Sequence, residues 1–168
     1  MKKAHFILKS FYKLKPSLFS VLYKTFIRPV IEYCSSVSRP CYPSFIARLE
    51  TCQRRLTKWC SPIRNFPYHE RLEILKLPTI EKRFKRGDLI LTYQILNQQF
   101  NITPSDFFCF AETNTRGHSF KLAGSNSKLN IRHRFFTNRV VSHWNSLSTH
   151  IVSAPSVNAF KARLDRVL

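Results

Sequence analysis

Apolar residues fall at helical spacing over most of this 168-residue chain, interrupted by prolines and by one long polar stretch. Leu18, Val21, Leu22 and Phe26 recur at intervals of three and four, which predicts a helix. Pro29 is expected to end or kink it at Arg28, because its ring removes a donor and collides one turn back. Val30 to Val37 can continue as a helix on a new axis. After a loop bracketed by Pro40 and Pro43, Ser44 is a candidate N-cap. Phe45, Leu49, Cys52, Leu56 and Trp59 then form one stripe expected to pack in the core, with Arg48, Arg54, Arg55 and Lys58 lying away from it.

Asn65-Phe66-Pro67 reads as the start of another helix, from Tyr68 to Leu77, with Tyr68, Leu72 and Leu75 inward and Pro78 as its stop. Thr79 is placed to cap the longest helix, from Ile80 to about Gln99. Its stripe is Ile80, Phe84, Gly87, Leu91 and Ile95, widened by Leu89, Tyr93 and Leu96. A helical glycine costs about 1 kcal/mol against alanine, so close helix packing is expected at Gly87. Residues 101–130 gather Asn, Thr, Ser and the other two glycines, and read as a connection with short local structure. Partial alternation from Lys128 to Phe136 predicts a short strand. Phe136, Val140, Trp144 and Leu147 return to helical spacing. Pro155-Ser156 opens a last helix with Val157, Phe160, Leu164 and Val167 inward. The expected fold is therefore mainly α: a helical bundle over 1–100, a loop-rich connection over 101–130, and a tail over 131–168 made of a short strand and two helices.

Charge changes what such a bundle is for. Twenty-eight Lys and Arg face nine Asp and Glu, a net charge of +19 and a pI near 10.3. Self-repulsion of that size is best relieved by an anionic partner, and the phosphates of nucleic acid present the densest array of negative charge. The candidate contacts are Arg48, Arg54, Arg55 and Lys58 on one helix, and Lys82, Arg83, Lys85 and Arg86 on the next long one. The second group loads a helix start, where the dipole favours acids. Such cations position a nucleic acid through its backbone without reading its sequence. Tyr23, Tyr42, Tyr68 and Phe84 are aromatic neighbours able to stack on bases, though core packing is the commoner use of such residues. The basic residues are spread through folded segments, which argues against a membrane surface. Five cysteines without framework spacing, no apolar leader run and no window of transmembrane length predict an intracellular protein of nucleus or cytoplasm, not a secreted one.

Catalytic chemistry finds little support. Two-metal nucleotidyl transfer needs converging acids, but the three aspartates, Asp88, Asp106 and Asp165, are isolated from other acids. Cys34, Cys41, Cys52, Cys60 and His69 lack metal-ligand spacing and read as small hydrophobes. No nucleophile elbow surrounds any serine, and Thr115-Arg116-Gly117-His118 reads as an ordinary turn. No metal, cofactor or small-molecule substrate is expected in this chain.

The order of motifs carries a further message. Leu22-Tyr23-Lys24, Phe26, Arg28-Pro29, Glu32-Tyr33-Cys34 and Gln53-Arg54-Arg55 resemble, in order and spacing, the segment after the catalytic palm in reverse transcriptases of non-LTR retrotransposons of the jockey and chicken-repeat-1 type. The series continues with Arg64-Asn65, Pro67-Tyr68, Arg71-Leu72, Leu77-Pro78, Arg86-Gly87-Asp88-Leu89-Ile90, Thr115-Arg116-Gly117-His118-Ser119, Trp144-Asn145-Ser146-Leu147 and Ala154-Pro155-Ser156-Val157. Nearly the whole chain is covered. The pattern is departed from at Ser38, where the family has Trp, and at Arg39 and Cys41.

The resemblance implies a thumb and tail of an RNA-directed DNA polymerase whose magnesium-binding palm would precede this segment. It implies a non-catalytic fragment that contributes template–primer backbone binding, with RNA or DNA and the missing palm and fingers as partners. Such elements typically insert as copies truncated at the 5′ end, which implies a remnant. The other readings are a decayed product without activity and a helical protein-interaction module retained by a host.

Overall fold

The computed structural model describes the chain apart from residues 1, 12, 39–42, 113–116 and 125–127, and apart from the side chains of Lys2, Lys3, Ser38 and Pro43. Among the described residues the chain is mainly α-helical, as its periodicity predicts. Tyr42, the departures at Ser38, Arg39 and Cys41, and the turn residues Thr115 and Arg116 fall on these excepted positions and lie outside the described side chains.

Contacts divide the chain into two compact units. One comprises Met1–Ser35 and Tyr42–Arg83, the other Ser36–Cys41 and Phe84–Leu168. These bounds differ from those expected at 100 and 130: the division falls inside a continuous helix, between Arg83 and Phe84.

The first unit contains α1 (Lys2–Lys9), α2 (Pro16–Leu22), α3 (Arg28–Glu32), α5 (Pro43–Thr57), α6 (Tyr68–Leu75) and the start of α7 (Ile80–Leu96). Pro29 does not end its helix. A π-helical turn over Tyr23–Ile27 joins α2 to α3, so the helix runs on through the proline. The wider turn accommodates a residue that has no N–H to give and whose ring crowds the preceding turn. The break comes later, where Tyr33 turns extended (ψ 125°) and Cys34 enters the left-handed region (φ 53°) before the short helix α4 (Ser35–Ser38). Helix α6 closes on Lys76 (φ 50°), with the Leu77 N–H returning to the Leu72 carbonyl at 2.9 Å. Leu8, Leu14, Phe19, Leu22, Leu56, Ile63, Leu72 and Leu75 form this unit's apolar core.

The expected apolar stripe of α5 is only partly its buried face. Phe45 is 41% and Trp59 37% exposed, whereas Gln53, Leu56, Thr57 and Cys60 are buried. The buried line is set by a polar network. The Tyr23 hydroxyl donates to Gln53 Oε1, and Gln53 Nε2 donates to the Tyr68 hydroxyl (3.1 Å) and the Pro78 carbonyl (3.0 Å). Tyr68 in turn donates to Glu50. Every amide atom of Gln53 thus has a partner, which is what makes its burial tolerable.

In the second unit the predicted strand between Lys128 and Phe136 is absent: α8 (Asn130–His133) occupies its centre, followed by α9 (Phe136–Asn145). Leu129, Ile131 and Phe135 are exposed, and among the described residues no sheet face buries the alternation. α10 (Thr149–Val152) and α11 (Val157–Leu164) follow, the latter capped by Ser156, whose hydroxyl accepts from the Ala159 N–H at 3.2 Å. Leu89, Tyr93, Phe136, Val140, Trp144, Phe160 and Leu164 form the core. Tyr93 stacks on Phe160 with ring centroids 4.3 Å apart and donates to the Ala154 carbonyl at 2.5 Å. Val167, expected inward, is exposed.

Between α7 and α8 lies an isolated antiparallel bridge, Phe110 with Leu122. Asn145 completes it through its amide, accepting from the Leu122 N–H and donating to the Leu122 carbonyl, both at 2.9 Å. Trp144 Nε1–H donates to the Phe120 carbonyl (2.8 Å), and buried His118 lies 3.1 Å from the Trp144 carbonyl through Nε2. The Trp144-Asn145 and Gly117-His118 motifs therefore hold one another. Among the described residues, no helix is long and apolar enough to cross a membrane.

Candidate nucleic-acid interface

Helix α5 separates its charge from its core. Arg48, Arg54, Arg55 and Lys58 are all exposed, while Gln53, Leu56 and Thr57 are buried. At 3.6 residues per turn Arg48, Arg54 and Arg55 fall within roughly a 120° arc, opposite the buried line, and Lys58 follows in the turn after Thr57. From Arg48 to Lys58 they extend about 15 Å at 1.5 Å per residue. Among the described residues no ion pair engages any of the four. Arg54 and Arg55 also sit in the last helical turn, where the helix dipole favours cations, so part of their placement is structural. The Arg54 guanidinium lies over the Tyr68 ring, 4.9 Å from its centroid, and is oriented by that contact.

The cations of α7 are placed differently. Lys82 is exposed and Lys85 partly buried. Arg83 is held by Glu32 in a two-pronged pair, with both N–O distances 2.7 Å. Arg86 is held by Asp165 in the same way, at 2.5 and 2.8 Å. The eight sequence candidates are thus not equivalent: the α5 group stands clear of acids, and two of the α7 group are engaged in structure. Lys82 and Arg83 belong to the first unit, Lys85 and Arg86 to the second.

The basic start of α7 is reconciled with its dipole by an acid from elsewhere in the chain. Glu50 Oε2, from α5, accepts from the Ile80 N–H at 2.8 Å. A carboxylate thus caps the first N–H of the helix, and Glu32 balances Arg83 beside it. Thr79 adds a longer contact of 3.3 Å from the Lys82 N–H.

The three aromatic candidates among the described residues are structural. Tyr23 and Phe84 are buried, and Tyr68 has its face covered by Arg54 and Arg71. Burial pushes the Tyr23 phenol up, with Glu32 and Glu50 adding to it; burial and the hydrogen bond to Glu50 push Tyr68 up likewise. Both remain neutral donors within the network.

Among the described residues, Gly87 has no neighbour that explains it: a Cβ at this position would meet none of them within 4 Å, so the expected close packing is not seen there. The buried face of α7 holds Ile80, Phe84, Leu89, Tyr93 and Ile95, as expected, and takes in Asp88 and Thr92 as well. Asp88 receives Arg139 at 2.9 Å on each oxygen, and the Arg139 guanidinium also donates to the Ser36 carbonyl at 2.8 Å. The Arg86-Gly87-Asp88 motif is accordingly a pair of anchors, one to Asp165 and one to Arg139.

Sequence reading missed two features. Arg71 is buried at 2% exposure, its guanidinium donating to the Arg54 carbonyl (3.0 Å) and the Thr57 hydroxyl (2.8 Å). Burial lowers its pKa, and its Nε has no hydrogen-bond partner in the described structure. Arginine at an inward helical position was the available signal. The second feature is a cleft of about 600 Å³ lined by Lys9, Lys13, Lys58 and Arg64 together with Phe11 and Trp59. Its parts are distant in sequence and only the fold assembles them.

Among the described residues no group of three or more His, Cys, Asp or Glu is placed to hold a metal ion. No protein-family model, curated protein or solved structure matches the chain.

Proposed function

We propose that this chain is a thumb-and-tail fragment of a non-LTR retrotransposon reverse transcriptase and binds an RNA or DNA duplex through its phosphate backbone, without sequence preference. The reading draws its family from the ordered motifs and its mechanism from α5. The single observation that carries the mechanism is the segregation of Arg48, Arg54, Arg55 and Lys58 from both the core and the acids. Guanidinium and ammonium groups on one face can each take a phosphate oxygen, and their extent of about 15 Å matches about four base-pair rises of 3.4 Å. Arg83 and Arg86 already have carboxylate partners and are assigned a lesser part. Lys82 extends the basic surface of the same unit. The fragment performs no nucleotidyl transfer by itself; that chemistry belongs to the palm of the parent enzyme.

The test is the affinity for a labelled duplex measured from 50 to 200 mM salt. Log affinity is expected to fall linearly with log salt, by about 0.9 per phosphate neutralised, and equally for unrelated sequences. A curve indifferent to salt, or binding confined to one sequence, overturns the proposal. An absence of binding by a folded chain would leave the decayed product standing. Protein capture that survives nuclease treatment would favour the interaction module.

A further inference from the structure

The cleft beside α5 combines positive charge with an aromatic face, and none of its lining residues is acidic. Two parts of the chain form it, Lys9 to Phe11 with Lys13 and Leu14, and the segment after α5 that carries Lys58, Trp59 and Arg64. They are pinned together beneath the cleft, where the buried Cys60 thiol donates to the carbonyl of buried Leu14 at 3.4 Å. Burial raises the Cys60 pKa, which keeps the thiol protonated and able to donate. Lys13 stands at a left-handed position (φ 52°) and Leu14 is directed inward, so that lysine is carried on a sharp turn. Trp59 is held on one side by His5, edge to face at 4.8 Å, and remains 37% exposed. A large apolar ring kept partly open among four cations is an arrangement that core packing alone does not require.

We infer that this cleft is a subsite for one unpaired nucleotide of a single strand, with its base against Trp59 and its phosphates on Lys9, Lys13, Lys58 and Arg64. The volume falls in the range of small-molecule sites, about 300–1,000 Å³. A π face beside a cationic groove is how single strands are held without sequence preference. The inference rests on the nucleic-acid reading of α5 and deepens it: Lys58 belongs to both surfaces, so a strand leaving a duplex on α5 would reach the cleft at that residue.

The full chain is titrated with a 5′-phosphorylated oligothymidylate and, separately, with a blunt duplex of equal length, while tryptophan emission is followed. Trp144 is 1% exposed, so a quench reports Trp59. The oligothymidylate is expected to quench emission. With a fluorescently labelled strand and a labelled duplex as the readout, since the reporting ring is gone, Trp59→Leu should weaken single-strand binding roughly five- to a hundredfold while changing duplex affinity less than twofold. Trp59→Phe, which keeps an aromatic face and serves as the folding control, should restore most of the affinity. Lys9→Gln with Arg64→Gln should flatten the salt dependence for the single strand alone.

Single-strand binding without quenching, or equal losses for strand and duplex in Trp59→Leu, would overturn the subsite while leaving duplex binding intact. Quenching by thymidine monophosphate at oligonucleotide concentrations would overturn it in favour of a free nucleotide. Failure of both ligands to bind would instead defeat the α5 reading on which the subsite rests.

Discussion

Both units pair arginine with carboxylate, Arg83 with Glu32 in the first and Arg86 and Arg139 with aspartates in the second, but the first also presents a row of outward cations on α5. The first unit carries 16 of the 28 basic residues against five of the nine acids. Its α5 cations point outward, while a tyrosine–glutamine–glutamate network and a buried Arg71 order the inside. In the second unit Arg139 and Arg86 each grip an aspartate with two nitrogens, around a core of stacked aromatics. The contrast shows that a net charge of +19 is not a uniform property of the surface. Cations left clear of carboxylates release counterions most readily on binding nucleic acid, so under the proposed function the α5 row is the first place to look for contact.

The largest expected effect lies in the second unit. Arg139→Ala removes the two-pronged guanidinium partner of a carboxylate at 5% side-chain exposure and should cost about 3–5 kcal/mol, seen as a lowered thermal midpoint. Replacing both Asp88 and Arg139 by apolar residues of similar volume should recover most of that loss. An unchanged midpoint in the single variant would show that the pair does not anchor this unit.

A smaller effect is expected in the first unit from Glu50→Ala, which removes the acceptor for Tyr68 and the cap of α7 together. A cost of about 2–3 kcal/mol follows from charge-assisted bonds of this kind. Hydrogen exchange should quicken at the first amides of α7; protection unaltered at Ile80 would contradict the cap. Smaller again, and opposite in sign, Gly87→Ala should stabilise α7 by about 0.5–1 kcal/mol, because the space for a methyl group is open. A destabilised variant would reveal a neighbour that the geometry lacks.

Helix placement was largely legible because apolar spacing and proline positions are local signals. Pro155-Ser156 opened the last helix as expected, and Tyr68 to Leu75 lay within the predicted span. What stayed hidden was decided by contacts across the sequence. The buried face of α5 follows Gln53 because Tyr23, Tyr68 and Pro78 satisfy its amide, and no hydrophobicity pattern marks a glutamine for the core. The alternation around Ile131 predicted a strand, yet a strand needs a partner, and none is offered among the described residues. The basic candidates were identified by type; their sorting into clear and paired groups depended on Glu32 and Asp165, which lie 51 and 79 residues away.

The central claim is that α5 meets phosphate through its clear cations, and one comparison tests it most directly. The salt dependence of duplex binding is measured for the wild-type chain, for a triple Arg48→Ala, Arg54→Ala, Arg55→Ala variant, and for Arg86→Ala. The triple variant should flatten the slope of log affinity against log salt by about 2.7, at 0.9 per contact, while Arg86→Ala should leave it within experimental error. An unchanged slope in the triple variant, or an equal loss in Arg86→Ala, would contradict the account.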